Sequence, residues 1–199
     1  MKKIVAIVLI LLLLAAGCQK AKTEAPAPAA EPAPAPTDAP AAPAAEAEGY
    51  AFTFTAQTLD GETVTEAVLG QYDLTMVNVW ASWCGPCQSE LGDLAELYGK
   101  LPENVGFLSV TVDYPDDLKD AKALLSENGC AFPCLDGKGS EGLTNGPLRR
   151  VIYIPTTLFL DRHGNQVGDE IVGVPQGNGS VADAYLAEIQ ERLDLLNGK

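Results

Sequence analysis

The sequence predicts an α/β sandwich: a central mixed β-sheet flanked by helices, with a β-hairpin extension at its N-terminal side. Three observations predict it. Strand-like and helix-like segments alternate over residues 75–125, the pattern of parallel strands joined by helical crossovers. Two strand-like segments separated by a tight turn follow, at residues 156–160 and 166–174, which suits an antiparallel pair. A helix-period segment then carries the chain to its end.

The folded part is shorter than the chain. Lys2 and Lys3 precede an unbroken apolar run over residues 4–16, which closes in Ala15-Ala16-Gly17-Cys18. A positive start, a short apolar stretch and small residues at its end describe an export signal, and the run is short for a membrane-spanning helix. The Ala-Gly-Cys ending resembles the lipobox of bacterial lipoproteins, with Ala15 where Leu is usual. That resemblance implies cleavage after residue 17, lipidation of Cys18 and attachment to a lipid bilayer. An ordinary secretory signal and an uncleaved helix are the competing readings. All three place the remainder outside the cytoplasm, where disulfides persist.

Residues 18–48 are mostly Ala and Pro with scattered Glu and Asp. Such a segment lacks the apolar surface to offset ordering entropy, so a disordered linker is expected. Its Ala-Pro steps favour extended segments of ~3.1 Å per residue, a reach of up to about 90 Å. Residues 49–199 form the expected domain, about the usual size of one. The chain carries a formal net charge of −14. An acidic protein of this kind repels phosphate backbones, which argues against nucleic-acid binding.

Within the domain, Phe52, Phe54 and Ala56 alternate with Thr53, Thr55 and Gln57, the period of a half-buried strand. Asp60-Gly61 is a turn signal, and Val64 opens a second short strand, giving a hairpin. Residues 75–80 are β-branched and apolar and read as a buried strand. Leu91, Leu94, Ala95, Tyr98 and Leu101 fall on one helical stripe. Residues 105–112 are the next strand. Pro115 suits a helix start, Leu118, Ala121 and Leu125 mark its apolar face, and Gly129 its stop. Residues 161–165 form the turn between the last two strands. Val181, Tyr185, Ile189, Leu193 and Leu196 line the final helix.

Trp83-Cys84-Gly85-Pro86-Cys87 lies between the first buried strand and the helix after it. That context makes Cys-x-x-Cys a redox motif rather than half of a zinc site. A structural zinc would need a second ligand pair; Cys130 and Cys134 are poorly spaced for one, and His163 is the sole histidine and lies in a turn. No metal or cofactor is expected. Cys84 falls at the helix N-terminus, where unpaired N–H groups and the helix dipole favour a thiolate. It is the expected nucleophile. Cys87, one turn on, is expected to be more buried and to resolve the mixed disulfide. Pro86 is tolerated in the first turn, where its missing N–H would be unpaired.

Asn78-Val79-Trp80-Ala81-Ser82-Trp83-Cys84-Gly85-Pro86-Cys87, followed by Glu90-Leu91, resembles the TlpA/ResA-like branch of the thioredoxin superfamily. Ile154-Pro155-Thr156-Thr157-Leu158-Phe159-Leu160-Asp161 resembles that family's second signature. The resemblance runs from about Tyr50 to Leu196 and implies a thioredoxin-like fold. It also implies a cis peptide between Ile154 and Pro155, set against the cysteine pair to present backbone to a substrate strand and to block metal capture. Trp83, Gly85 and Pro86 are the implied supports of the active loop.

Asn78 stands where thioredoxins themselves carry a buried Asp, and an amide is no proton acceptor. Cys87, Glu90, Leu91 and Leu94 share one helix face, so Glu90 borders the buried side near Cys87. Burial raises a carboxyl pKa and would let Glu90 exchange a proton with Cys87. The resemblance agrees, since a Glu at this place marks the family. A solvated surface Glu is the competing reading.

Cys130-Ala131-Phe132-Pro133-Cys134 is not accounted for by the resemblance. Three readings compete: a disulfide between Cys130 and Cys134, two buried free thiols, or a second redox pair relaying electrons to or from Cys84 and Cys87. A continuous strand would set the two Cα atoms ~13 Å apart, too far for a bridge, whereas a turn at Pro133 would bring them within reach.

The expected activity is disulfide exchange with extracytoplasmic client proteins. Reduction is favoured, because the Gly-Pro dipeptide matches thioredoxin, whose potential is near about −270 mV against about −120 mV for a dedicated oxidant. The resemblance implies an integral-membrane thiol carrier as electron donor. A disulfide-donating oxidase, a copper chaperone and a thiol peroxidase on the same fold are the alternatives. The copper reading is weakened by the narrow cysteine spacing and the placement of His163.

Overall fold

A computed structural model describes residues 50–198. The expected leader, Cys18 and the linker lie outside the described residues. Among the described residues, no helix is long and apolar enough to cross a membrane.

The centre of the domain is strand β3 (Leu74–Trp80), in which every residue is buried. Its β-branched and apolar side chains suit a strand covered on both faces. It pairs in parallel with β4 (Val105–Thr111) and antiparallel with β6 (Thr156–Asp161). β5 (Cys134–Asp136) adds to β4 in parallel, and β7 (Ile171–Val172) adds to β6 antiparallel. The five-stranded mixed sheet therefore runs β5-β4-β3-β6-β7.

The strand period of two divides the core into two layers. Leu74, Met76 and Trp80 face one layer, completed by Phe107, Phe159 and the helices α1 (Gly85–Tyr98), α2 (Leu118–Glu127) and α4 (Val181–Leu196). Val77 and Val79 face the other, with Phe54, Ala56, Leu108, Leu158 and Leu143 of the short helix α3 (Glu141–Asn145). β1 (Thr55–Gln57) and β2 (Thr63–Thr65) form the hairpin, a separate two-stranded sheet that carries Ala56 into this second layer.

α1 follows β3 after a four-residue loop and leads to β4, a β-α-β crossover between parallel strands. Leu91, Leu94 and Leu97 are its buried stripe, each worth about 2 kcal/mol of burial. Leu97 takes the place expected for Tyr98, whose ring is partly exposed at the helix end. α2 ends before Gly129, whose φ of +69° is one that a side chain would resist. α4 begins with a reciprocal cap: Ser180 Oγ accepts from Asp183 N–H, and the Asp183 carboxylate accepts from Ser180 N–H.

Two elements differ from expectation. The strand expected over 166–174 is interrupted: Gln166 makes a single bridge to Leu160, and pairing resumes only at β7. Gly168 has a φ of +70°, and the Asp169 carbonyl is drawn to Arg192 of α4 at 3.0 Å, so the strand cannot run through. Phe52 and Phe54 stack on each other just ahead of β1 instead of pairing within it.

Candidate active site

β3 ends at Trp80, and the next four residues deliver Cys84 to the N-terminus of α1. Cys84 is the N-cap residue in extended conformation, and its Sγ accepts the Cys87 N–H at 3.3 Å. Sulfur thus occupies the place where a Ser or Asp oxygen usually caps a helix. Pro86 fills the second helical position without loss, because no intrahelical partner exists there for an N–H. Cys84 and Cys87 are joined in a disulfide with a Cα–Cα distance of 5.2 Å. Cys87 is fully buried, and Cys84 retains a sliver of exposure.

The loop before β6 meets this pair. The Ile154–Pro155 peptide is cis, and the Ile154 carbonyl oxygen lies 3.7 Å from Cys84 Sγ. Ile154 and Pro155 therefore stand beside the cysteine pair.

Behind Cys87 lies a buried polar group. Glu90 is 1% exposed, and its two oxygens are held from different elements. Asn78 Nδ2 of β3 donates to Oε1 at 3.1 Å, and Tyr185 O–H of α4 donates to Oε2 at 2.9 Å. Asn78 Nδ2 also reaches Thr157 Oγ1 at 3.2 Å, and Thr157 Oγ1 lies 3.2 Å from the Tyr185 hydroxyl. Asn78 and Thr157 are register partners on β3 and β6, which is why their side chains meet on the same face. Burial pushes the Glu90 carboxyl up from 4.5 to about 7, against the opposing pull of the hydrogen bonds from Asn78 and Tyr185. Burial also raises the Tyr185 phenol well above its ordinary value, with the neighbouring Glu90 charge adding to the effect. Tyr185 thus stays a donor, while Glu90 can hold or release a proton near neutrality.

Cys130 and Cys134 are unbridged. They are tied to different elements: Cys130 Sγ lies 3.5 Å from the Leu91 carbonyl oxygen of α1, and Cys134 Sγ lies 3.5 Å from Ser109 Oγ of β4. In place of the disulfide among the sequence readings, the structure holds two free thiols. Burial pushes each up to about 11, so both are thiols rather than thiolates at neutral pH. His163 sits at the β6–β7 turn, exposed, away from the cysteine pair. Among the described residues, no cluster of three His, Cys, Asp or Glu is placed to hold a metal ion.

Sequence reasoning missed two features. Tyr185 read as one apolar position on the last helix, and only its hydroxyl, a polar atom on a buried face, hinted at a partner. An aromatic rim was also missed. β3 and β4 end at the same sheet edge where β6 begins. Trp83, Tyr114 and Tyr153 each lie three residues beyond that edge, and all are exposed by 64–69%. Ile152 extends the rim. Single exposed aromatics need no explanation; here several large apolar side chains lie open at the one end of the sheet from which the chain leads to Cys84.

A disulfide-bonded cysteine pair at the start of the helix after the central strand, beside a cis-proline loop, defines a thioredoxin-like fold with a Cys-x-x-Cys redox centre. The chain belongs to the AhpC/TSA family, whose sequence profile matches residues 48–166. It is 36% identical over 114 residues to the thiol:disulfide interchange protein DsbE homolog of Paracoccus denitrificans (strain Pd 1222), covering 54% of this chain and 56% of that protein. It is 30% identical over 100 residues to the thiol-disulfide oxidoreductase ResA of Bacillus anthracis, covering 49% and 53%. The chain thus matches about half the length of these curated relatives. Among solved structures, a thiol:disulfide interchange protein of the thioredoxin family from Chlorobium tepidum TLS superposes with a TM-score of 0.58 at 24% identity, covering 75% of this chain and 99% of that one. StoA from Bacillus subtilis superposes with a TM-score of 0.54 at 22% identity, covering 71% and 96%. These likenesses establish the fold.

Proposed function

We propose that the protein is a thiol–disulfide oxidoreductase that reduces disulfides of client proteins, held outside the cytoplasm on a bacterial membrane by lipid on Cys18. The observation that carries this reading is the placement of Cys84: an N-capping sulfur at the mouth of the site, bonded to a buried Cys87 with a protonatable Glu90 one turn behind. The names of the DsbE and ResA relatives support the same activity. The lipobox-like ending at Cys18 supports the anchor.

In this reading the reduced protein starts with Cys84 as thiolate, stabilised by the N-terminus of α1. Cys84 Sγ attacks one sulfur of the client disulfide. A new S–S bond forms, the client bond breaks, and a client thiolate leaves with the electron pair. Cys87 then gives its proton to the Glu90 carboxylate and attacks Cys84 Sγ. The mixed disulfide breaks, the second client thiolate departs, and the protein is left oxidised by two electrons, as it stands in this structure. An external dithiol, supplied in this proposal by a membrane-embedded thiol carrier, restores the reduced state. The rim of Trp83, Tyr114, Tyr153 and Ile152 serves as the polypeptide-docking surface.

The test is the equilibrium of Cys84 and Cys87 against glutathione buffers of graded potential, followed by alkylation and mass spectrometry. A potential near that of thioredoxin, about −270 mV, supports a reductase; one near about −120 mV reverses the direction and makes the protein a disulfide donor. Turnover of peroxide with no protein client would replace both readings by a thiol peroxidase.

A further inference from the structure

Asp113 is fully buried, lies two residues beyond the end of β4 and has no part in the chemistry above. A carboxylate in such a place needs several donors to offset its desolvation. It has three. Ser82 N–H donates to Oδ2 at 2.8 Å, Ser82 O–H donates to Oδ1 at 2.7 Å, and the Thr111 hydroxyl donates to Oδ2. Two of these bonds go to one residue, and that residue is held at its third polar atom as well, since Gln88 Nε2 of α1 donates to the Ser82 carbonyl. Two residues on, Cys84 N–H donates to the Ala81 carbonyl at 3.1 Å. The short loop between β3 and α1 is therefore closed on itself and fastened to β4 through Asp113.

We infer that Asp113 is a positioning residue for the redox centre: through Ser82 it keeps Cys84 at the N-cap of α1 when the Cys84–Cys87 bond is open. This rests on the reading of Cys84 and Cys87 as an exchanging pair. In the oxidised protein the covalent bond holds Cys84 in place. Reduction removes that restraint, and the loop alone then decides whether Sγ stays at the Cys87 N–H. Helix-terminus stabilisation of an anion fades within the first turn, so a loop that drifts loses it. The Asp113 charge acts in the opposite sense, since a nearby carboxylate disfavours a thiolate. Positioning and charge are thus separable by sign.

The experiment measures, on the reduced full chain, the pH dependence of Cys84 alkylation and the rate of reaction with the small uncharged 2-hydroxyethyl disulfide. Asp113→Ala raises the Cys84 pKa and slows both reactions at pH 7 by about fivefold, the size of a lost helix cap. Asp113→Asn keeps an acceptor for the Ser82 N–H and returns the pKa to the wild-type value or below. Ser82→Ala shifts it up by less, and adding it to Asp113→Ala changes nothing further, because the two share one interaction. An unchanged or lowered pKa in Asp113→Ala overturns the inference, as does an Asn variant no better than Ala. Should Asp113→Ala not fold, Ser82→Ala decides alone: a raised Cys84 pKa with both reactions slowed supports the positioning role, and an unchanged or lowered one overturns it. A wild-type chain that fails to react with the disulfide sinks the oxidoreductase reading itself, whereas reactive wild type with unaltered variants sinks only the role of Asp113.

Discussion

Tyr185 on α4 and Glu90 on α1 are 95 residues apart in sequence and share a buried hydrogen bond of 2.9 Å. The bond runs from a phenol that stays protonated to a carboxyl that titrates near neutrality. The last helix thereby lowers the proton affinity that burial raises in a group one turn from Cys87.

Removing that donor shifts the titration. Tyr185→Phe takes away a bond that favours the ionised carboxylate, so the Glu90 pKa rises further. Such a hydrogen bond is worth about 1.5 kcal/mol, or about one pKa unit. The expected outcome is an alkaline displacement of about one unit in the pH profile of single-turnover mixed-disulfide resolution. An unmoved profile removes Glu90 from the proton path.

Glu90 also makes stability depend on pH. Its folded-state pKa of about 7 lies above the ordinary 4.5. Below about 4.5 both folded and unfolded chains bind the proton, and the folded state bears no cost. Between about 4.5 and about 7 the unfolded chain ionises first, so stability falls as pH rises, and the full cost remains above. Each unit is about 1.4 kcal/mol, so the cost approaches about 3 kcal/mol. Glu90→Gln removes it. Urea unfolding of the oxidised protein is expected to show Glu90→Gln gaining on wild type by about 2–3 kcal/mol more at pH 8 than at pH 4. Equal differences at both values would contradict a raised pKa.

The division of labour between the cysteines has a simple signature. Cys87→Ser leaves Cys84 able to attack but nothing to resolve the product. A stable mixed disulfide with a model client peptide is expected by mass spectrometry, while Cys84→Ser traps none. Equal trapping by both variants would mean that Cys87 is also reachable, despite its complete burial.

Cys130 and Cys134 are expected to be spectators. With both thiols pushed to about 11, they react slowly with iodoacetamide at pH 7 while Cys84 reacts fast. The Cys130→Ala and Cys134→Ala double variant should exchange disulfides at the wild-type rate. A Cys130–Cys134 bond appearing during turnover would restore the relay.

The anchor is testable apart from the chemistry. Cys18→Ser is expected to abolish incorporation of labelled fatty acid and to move the protein from the membrane pellet to the soluble fraction. Retention in the pellet without label would favour an uncleaved helix over residues 4–16.

The buried strand at 74–80, the amphipathic α1 and the Cys-x-x-Cys between them were legible because each rests on a local pattern: β-branched residues, helical spacing, two sulfurs at a helix start. Glu90 was legible for the same reason, sharing a helix face with Cys87. The hydrogen bonds of Glu90 were not, because Asn78, Thr157 and Tyr185 come from three distant elements and only the sheet register brings them together. β5 escaped notice because three residues carry no period, and the strand exists only through its pairing with β4. The arrangement of Cys130 and Cys134 also depends on tertiary packing, since each thiol is oriented by a different neighbour.

The protein has two tryptophans, and their surroundings are opposites. Trp80 is wholly enclosed, with Nε1–H donating to Ser109 Oγ at 2.8 Å, whereas Trp83 lies open to solvent beside the cysteine bond. Disulfides quench indole emission at short range, and dissolved quenchers reach only exposed rings. The molecule thus carries its own optical gauge: Trp80 shares a core cluster with the sulfur pair and Trp83 adjoins it in sequence, so emission is expected to rise on reduction, while acrylamide reaches Trp83 in the folded domain and Trp80 only when the domain unfolds. Redox change and denaturation can be followed in one cuvette, without labels.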